Sequence, residues 1–259
     1  MKTHLKYTAA ALALSLGFTG LSGAVTAEHH GKAAIEAAVM SAERTEEEKA
    51  RDADRKPAEV LAFAGLEPGM VVLDINSGGG YYTEILARAV GDDGMVYAHN
   101  GPVYWAFVKD SIGKRYEDRL GNVELIHGDS EAVDLDEGSV DLAIMVLAYH
   151  DYYFQHEARS TPQADVPAAL ASIHKALKPS GKILIIDHVG PAGADAEAMN
   201  KLHRIDPALV KKQMMEAGFT LASESDLLAN PDDDMSTGPF APEIRGKTDR
   251  FIHLYTKGM

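Results

Sequence analysis

The segment 71–90 constrains the fold more than any other part of the chain. An apolar run at 71–73 ends at Asp74, a glycine-rich turn occupies 76–80, and residues 81–90 carry apolar side chains at helical spacing. This order predicts a buried parallel strand, a tight loop and a packed helix. Such an arrangement brings the backbone close to a bound ligand.

The carboxylate before the loop distinguishes between classes of ligand. A dinucleotide-binding loop follows the pattern G-x-G-x-x-G and directs backbone N–H groups at a pyrophosphate. In this chain Thr83 stands at the third glycine of that spacing, and Asp74 would repel phosphate. A ligand with a cationic end therefore fits this loop better than a dinucleotide.

The pattern Asp74-x-Asn76-x-Gly78-x-Gly80 resembles the first motif of class I S-adenosylmethionine-dependent methyltransferases, an acidic residue followed by alternating glycines. Asn76 stands at the first glycine, and asparagine is the non-glycine residue that best tolerates a left-handed backbone. The resemblance implies S-adenosylmethionine as the cofactor, whose ammonium and sulfonium groups form a cationic end. It also implies that Asp74, Asn76, Gly78 and Gly80 hold the methionine part.

Two further strand ends correspond to cofactor-binding positions of this family. The family usually has an acid after the second strand, where it holds both ribose hydroxyls, and this chain has Asn100 there. An amide can still pair with the hydroxyls, but without the added strength of a charge. Asp129, after the third strand, matches the family's position for the adenine amino group. The alternative for Asp129 is a helix or turn cap.

Histidine and aspartate follow the next two predicted strands. His150 and Asp151 come after the fourth strand, and Asp187 and His188 end the fifth. Because ligands of doubly wound sheets lie beyond these strand ends, His150 and Asp151 should lie beside the transferred methyl, with Asp187 and His188 at the neighbouring strand end. They predict a catalytic base, His150, with Asp151 nearby. A divalent metal site and hydrogen-bonded structural histidines stay as alternatives, and no metal ligand is assigned from the sequence.

Substrate contacts are expected near the same edge of the sheet. Five residues are candidates: Tyr149, His188, His203, Arg204 and Arg245. Residues 202–206 follow the fifth strand, where methyltransferases commonly build substrate contacts, although Asp206 before Pro207 is equally typical of a helix N-cap. Arg245 lies in a basic segment that, with the basic residues of 51–56, can line an entrance for an anionic substrate. Surface ion pairs explain these charges almost as well.

Strands and helices alternate regularly after residue 57. Strands are expected near 70–75, 95–99, 122–126, 140–147 and 182–187, and helices near 57–65, 81–90, 103–118, 164–177 and 207–217. This order implies parallel crossovers and a sheet covered on both faces. Alternating stretches at 219–225 and 250–256 predict two antiparallel strands, joined by a long loop. The expected fold is therefore α/β, a Rossmann-like class I methyltransferase fold with a mostly parallel, doubly wound sheet and a C-terminal antiparallel hairpin.

The N-terminus is expected to lie outside this core. Residues 1–27 combine two lysines, an apolar run and small residues before a cleavage site after Ala27, the pattern of a secretory signal peptide. The run is short for a membrane anchor, so we expect a periplasmic or secreted protein without stable membrane insertion after cleavage. An uncleaved anchor is the alternative. Residues 28–56 are expected to form a helical extension, with a loose tail at 28–32 and a helix over 33–50, and residues 57–259 a methyltransferase-like domain.

Charge and cysteine content exclude several classes of partner and chemistry. The chain has 259 residues, 46% of them hydrophobic, which is enough for one sizeable core. Its net charge is −14, and removal of residues 1–27, which hold two lysines and no acid, would leave −16. Such a surface disfavours nucleic acid, so a small-molecule substrate is expected. The absence of cysteine excludes disulfides, thiolate ligands and a cysteine nucleophile.

Across most of its length the chain resembles a bacterial group of exported methyltransferases, through its signal peptide and its segments 51–57, 78–83 and 244–251. The predicted function is S-adenosylmethionine-dependent methylation of a small molecule. The alternative is a non-catalytic periplasmic binding protein on the same fold, because export separates the chain from the compartment that makes the methyl donor. A dehydrogenase ranks third, since Asp74 and Thr83 disfavour it. The acceptor and the oligomeric state stay open at this point.

Overall fold

The computed structural model describes residues 21–159 and 163–258 of the chain. Most of the predicted signal peptide, residues 1–20, lies outside the described residues. Within the described ranges, no helix combines the length and the apolar character needed to cross a membrane.

Seven strands form one mixed sheet. They are β1 (Val71–Ile75), β2 (Met95–Asn100), β3 (Val123–His127), β4 (Val140–Val146), β5 (Leu177–His188), β6 (Phe219–Ser225) and β7 (Arg250–Lys257). Their order is β3-β2-β1-β4-β5-β7-β6. The pairs among β1 to β5 are parallel, whereas β7 runs antiparallel to both β5 and β6. The expected class I methyltransferase fold is confirmed.

The strand order places the end of β1 at the point where the chain reverses direction across the sheet. Asp74 pairs with Ala98 of β2 on one side and with Ile144 of β4 on the other. In open α/β sheets a ligand crevice forms beyond the strand ends at this switch point. The loop after Asp74 therefore begins at the position where a binding site is expected.

Helices cover both faces of the sheet. They are α1 (Leu21–Val39), α2 (Glu46–Lys49), α3 (Asp52–Arg55), α4 (Pro57–Ala64), α5 (Tyr81–Val90), α6 (Pro102–Val108), α7 (Ile112–Tyr116), α8 (Val166–Ala176), α9 (Ala196–Leu202) and α10 (Pro207–Glu216). Side chains of α1, α4 and α5 pack on one face, and those of α8 and α10 on the other, each around apolar side chains that are almost fully buried. Proline in the first turn of α4, α6, α8 and α10 suits the free N–H positions there.

Three local expectations were wrong. The single helix expected over 103–118 is two helices, α6 and α7, because the polar stretch at 109–111 interrupts it and Ser111 lies outside the helical region. Residues 28–32 belong to α1 rather than to a loose tail, and the helix expected over 33–50 ends at Val39. Helix α9 was not expected from the sequence. Its N-cap Asp195 accepts a hydrogen bond from the Ala198 N–H.

The extension that precedes α4 is anchored to the domain through buried charges. Glu84 of α5 is 1% exposed and accepts hydrogen bonds from Arg115 and Arg119 at 2.7 and 2.8 Å. Arg115 also pairs with Glu48 of the extension, with 2.5 Å between their charged atoms. Burial alone would raise the pKa of Glu84, but the hydrogen bonds from its arginine partners hold it below the ordinary value. The extension is therefore part of the folded unit.

Candidate cofactor and substrate cavity

A cavity of about 850 Å³ lies beyond the carboxyl ends of β1 and β4. The loop after β1 forms one wall and the residues after β4 form another. The segment 45–55 of the extension covers it from a third side, and Phe240 from the long loop between β6 and β7 completes the rim. The cavity thus joins the glycine loop to the histidines and aspartates that follow β4 and β5.

The loop after β1 takes left-handed backbone conformations at alternate positions. The φ angles are +52° at Asn76, +57° at Gly78 and +82° at Gly80. The left-handed backbone expected at Asn76 is therefore observed, and its side-chain oxygen accepts a hydrogen bond from the Gly101 N–H at 3.0 Å. Gly80 does not line the cavity, and the Tyr116 hydroxyl lies against it so closely that a Cβ would have no room. Gly80 instead lets the loop pass close to α7.

Asp74 presents a nearly unpaired carboxylate to the cavity. Its side chain is 3% exposed, and among the described residues Thr83 is the side chain that bonds to it, through a hydroxyl 2.6 Å from Oδ2. Burial raises the pKa of Asp74 to about 7, and the Thr83 hydrogen bond only partly offsets this rise. A cationic ligand group beside Asp74 would relieve the cost of burying its charge. This is the environment that the ammonium of an amino-acid ligand requires.

Asn100 holds the loop instead of facing the cavity. Its side-chain oxygen accepts a hydrogen bond from the Gly78 N–H at 2.9 Å, and its amide nitrogen donates to the Ser77 hydroxyl at 3.0 Å. The side chain is fully buried and does not line the cavity. Both ends of the amide are thus committed to the loop, and the ribose contact expected of Asn100 stays a prediction.

Asp129 lies beside a separate crevice. Asn76 and Tyr104 line both this crevice and the main cavity, and its free volume is only about 10 Å³. Asp129 precedes a short 3₁₀ turn at Ser130–Ala132, but its side chain makes no cap hydrogen bond to that turn. The capping role is therefore not formed, and the adenine contact expected of Asp129 stays a prediction.

His150 lies between two carboxylates. Its Nδ1 is 2.7 Å from Asp187 Oδ1 and its Nε2 is 3.2 Å from Asp151 Oδ1. Burial alone would lower the pKa of His150, but Asp151 and Asp187 raise it well above its ordinary value. The pKa of Asp151 is lowered, because the effect of His150 exceeds that of burial. The base role predicted for His150 stays a prediction, and the structure holds its ring between the two carboxylates.

Two further predicted histidines line the same cavity. His188 is 2.7 Å through Nδ1 from the Thr248 hydroxyl oxygen, and burial together with the charged His150 lowers its pKa well below the ordinary value. His203 lies 3.3 Å through Nδ1 from Asp151 Oδ1. The structure therefore brings His150, Asp151, His188 and His203 together. The predicted strand ends already imply this grouping for the first three residues.

Three residues predicted as substrate contacts do not line the cavity. The Tyr149 hydroxyl donates to Gln213 Oε1 at 3.0 Å inside the apolar layer beneath the sheet. Arg204 is fully buried and pairs with Asp233 at 2.8 Å, which ties the connection before α10 to the long loop. Arg245 lies on that loop, outside the cavity lining. The structure does not bring these three residues to the cavity, because proximity in sequence to the strand ends does not determine which way a side chain points.

Sequence reasoning missed the aromatic lining of the cavity. Six aromatic residues share this role: Tyr81, Tyr82, Tyr104, Phe107, Phe154 and Phe240. Arg51 and Arg55, expected at an entrance, do line the cavity, and their guanidinium groups lie 5.0 and 4.6 Å from the Tyr81 ring centre. The pair Tyr81-Tyr82, directly after the glycine loop, was a signal that could have indicated an aromatic wall.

Sequence comparison agrees with this geometry. Residues 73–185 match a family model described as a methyltransferase domain. The ubiquinone/menaquinone biosynthesis C-methyltransferase of Shewanella halifaxensis is 29% identical over 137 residues, which cover 51% of this chain and 47% of the relative. The enzyme of the same name from Shewanella pealeana is 30% identical over 151 residues, covering 56% and 52%. The chain thus spans about half the length of the curated relatives it matches.

Solved structures share the fold. A SAM-dependent methyltransferase from Aquifex aeolicus superposes with a TM-score of 0.54 at 21% identity, covering 80% of this chain and 98% of that one. An arsenic (III) S-adenosylmethionine methyltransferase from Chlamydomonas reinhardtii gives 0.52 at 18% identity, covering 87% and 73%. At these identities the likeness establishes the architecture alone. Residues 73–185, less than half of the chain, match the methyltransferase domain model, and the described residues share the architecture of solved S-adenosylmethionine-dependent methyltransferases.

Proposed function

We propose that this chain transfers a methyl group from S-adenosylmethionine to a small, ring-bearing acceptor. The observation that carries the proposal is the single cavity that joins the Asp74 loop to the polar cluster around Asp151. Its volume, about 850 Å³, lies in the upper part of the range for small-molecule sites. It can take a cofactor together with a small acceptor, but not a folded macromolecule.

The residues of the glycine loop fit the methionine part of the cofactor. Asp74 supplies a buried carboxylate for the ammonium group. Gly79 leaves open space, since a Cβ there would meet no atom within 4 Å. When bound, the cofactor supplies the electrophilic methyl group. The protein's own contribution is to align the acceptor in line with that group and to exclude water, which the covering segment 45–55 favours.

The aromatic lining supports a flat, partly apolar acceptor. Phe107 and Phe240 line the cavity although they are 72% and 67% exposed, so apolar surface extends from the interior to the rim. Exposed aromatic side chains around a cavity are typical of ligand-binding grooves. The curated relatives are named for ubiquinone and menaquinone biosynthesis, which agrees with a ring-bearing acceptor. Asp151 offers an ionised oxygen that can accept a hydrogen bond from a hydroxyl of such a ring.

Export is a second part of the proposal. Its support is the signal-peptide pattern at 1–27. Cleavage after Ala27 would fall within α1. The mature chain would keep the later part of this helix, including Ile35 and Ala38, which are packed in the core and only 1% and 4% exposed. Mass spectrometry of the protein recovered from a periplasmic extract should give a chain that begins at Glu28. Recovery of the uncleaved chain in the membrane fraction would contradict export with cleavage.

Two experiments test the activity. The first is calorimetric titration with S-adenosylmethionine, and the second measures release of S-adenosylhomocysteine with a panel of hydroquinones and phenols. We expect saturable binding and release of product with at least one ring-bearing acceptor. Absence of binding up to millimolar cofactor would overturn the proposal. Binding without transfer to any acceptor, combined with tight binding of another ligand, would favour a periplasmic binding protein.

A further inference from the structure

Three metal-ligating side chains converge on the wall of the cavity. Nitrogen atoms of His150 and His203 and a carboxylate oxygen of Asp151 all lie within 4.8 Å of one another. Asp151 Oδ1 is 3.2 Å from His150 Nε2 and 3.3 Å from His203 Nδ1. Ligand atoms that share one ion at about 2.0–2.2 Å lie roughly 3 Å apart. The two distances from Asp151 Oδ1 are therefore close to those between atoms that coordinate one ion.

Neighbouring groups hold two of the three ligands in the orientation that coordination requires. Asp187 engages His150 Nδ1 at 2.7 Å and also accepts a hydrogen bond from the His150 backbone N–H at 2.8 Å. This leaves Nε2 directed at Asp151. The Tyr104 hydroxyl donates to Asp151 Oδ2 at 2.6 Å, which leaves Oδ1 for the histidines. A carboxylate behind a ligating histidine is a recurrent feature of metal sites.

His203 is held by backbone and aromatic contacts. It follows the last residue of α9 with a φ angle of +50°, a left-handed conformation that is unfavourable for a residue with a side chain. Its ring packs against Phe154 and Phe240, with centroid distances of 4.6 and 5.2 Å. These contacts place Nδ1 beside Asp151. All three ligand residues line the cavity, so the remaining coordination positions face the space for a ligand.

We propose that His150 Nε2, Asp151 Oδ1 and His203 Nδ1 bind a first-row transition-metal dication of the Zn²⁺ class. Two imidazoles and one carboxylate suit such ions, whereas Mg²⁺ and Ca²⁺ prefer oxygen ligands. The open positions would take an oxygen atom of the acceptor. This last role rests on the proposed methyl transfer, but metal binding itself does not.

Titration of the full chain, stripped of metal by a chelator, tests the site. We expect one Co²⁺ per chain with visible ligand-field absorption, displacement of Co²⁺ by Zn²⁺, and no effect of Mg²⁺. His203→Ala should weaken Co²⁺ binding at least tenfold. His156→Ala is the matched control, because His156 packs against Phe107 and Phe154 without belonging to the cluster, and it should bind like the unaltered chain.

Equal Co²⁺ affinity in the His203→Ala variant and the unaltered chain would overturn the site, as would absence of binding by the unaltered chain. X-ray absorption of the zinc-loaded unaltered chain gives a second measurement that needs no variant. A spectrum with two imidazole ligands supports the site, and one without imidazole overturns it. A chain that binds zinc but not S-adenosylmethionine would contradict the proposed function and leave the metal site standing.

Discussion

At the residue scale, the chemistry of the cofactor end depends on Asp74. The carboxyl group is buried beside a cavity, and burial raises its pKa to about 7. Near neutral pH the group is therefore divided between its neutral and charged forms. A buried carboxylate of this kind can bind a cationic group strongly, but only in its ionised form.

We predict that the affinity for S-adenosylmethionine rises as pH increases from 5.5 to 7.5, because Asp74 ionises over this window. The rise should be about tenfold in Kd, and Asp74→Asn should bind more weakly at pH 7.5 and show a flatter pH profile. Calorimetric titration at several pH values measures both effects. The same pH dependence in the variant would show that another group controls binding.

The stability of the fold without cofactor should fall as pH rises, which is opposite to the pH dependence of cofactor affinity. The folded pKa of Asp74 lies above its unfolded value of 3.8, so the native state binds the proton more tightly. The resulting stabilisation is fully present below pH 3.8 and is lost as pH rises to about 7. Relative to Asp74→Asn, the unaltered chain should lose up to about 4 kcal/mol over this window in urea unfolding.

At the scale of elements, the glycine loop and α5 form one unit with α7. Gly80 is the last residue of the loop and directly precedes α5. The Tyr116 hydroxyl of α7 occupies the space where a side chain at Gly80 would lie. Gly79 has no such neighbour and no positive φ angle. Two adjacent glycines therefore differ sharply in what they can tolerate.

Gly80→Ala should destabilise the fold by about 2–4 kcal/mol, because the new Cβ meets the Tyr116 oxygen and the φ angle of +82° disfavours any side chain. Gly79→Ala should change the free energy of unfolding by less than about 1 kcal/mol. Urea unfolding followed by circular dichroism compares the two variants. Equal destabilisation would mean that the loop does not pack against α7 in this way.

At the scale of the whole molecule, the N-terminal extension and the domain close the cavity together. Asp52 of the extension pairs with Arg44 at 2.7 Å and accepts a hydrogen bond from the Tyr81 hydroxyl at 2.5 Å. Glu84 of α5 binds Arg88, Arg115 and Arg119, and these arginines also contact Glu43 or Glu48 of the extension. The Tyr81–Asp52 hydrogen bond and the ion pairs of Glu84 together hold the segment 45–55 over the site. The shape of the cavity therefore depends on charges outside the glycine loop.

Glu84→Gln should lower stability by about 3 kcal/mol, because Arg88, Arg115 and Arg119 lose their shared buried counter-charge. Glu43→Gln is the matched control and should cost less than about 1 kcal/mol, since the Glu43 side chain is 66% exposed and pairs only with Arg88 among the described residues. Urea unfolding measures both variants. Equal losses would show that the buried cluster does not anchor the extension.

The stabilisation that Glu84 contributes depends on pH in a defined direction. The folded pKa of Glu84 lies below the unfolded value of 4.5, so its stabilisation is fully present above pH 4.5 and is lost as pH falls below it. Limited proteolysis of the extension should therefore accelerate on acidification in the unaltered chain. In Glu84→Gln, cleavage should already be fast at neutral pH and change less.

The sequence by itself determined the sheet, the left-handed turn at Asn76 and the grouping of His150, Asp151 and His188. Local periodicity and the rule that parallel strands end at one edge are sufficient for these conclusions. Only the tertiary structure decided that Asn100 binds the loop, that Arg204 pairs with Asp233 and that His203 reaches Asp151. The reason is physical: a strand order places a backbone, but the direction and protonation of a side chain depend on neighbours distant in sequence.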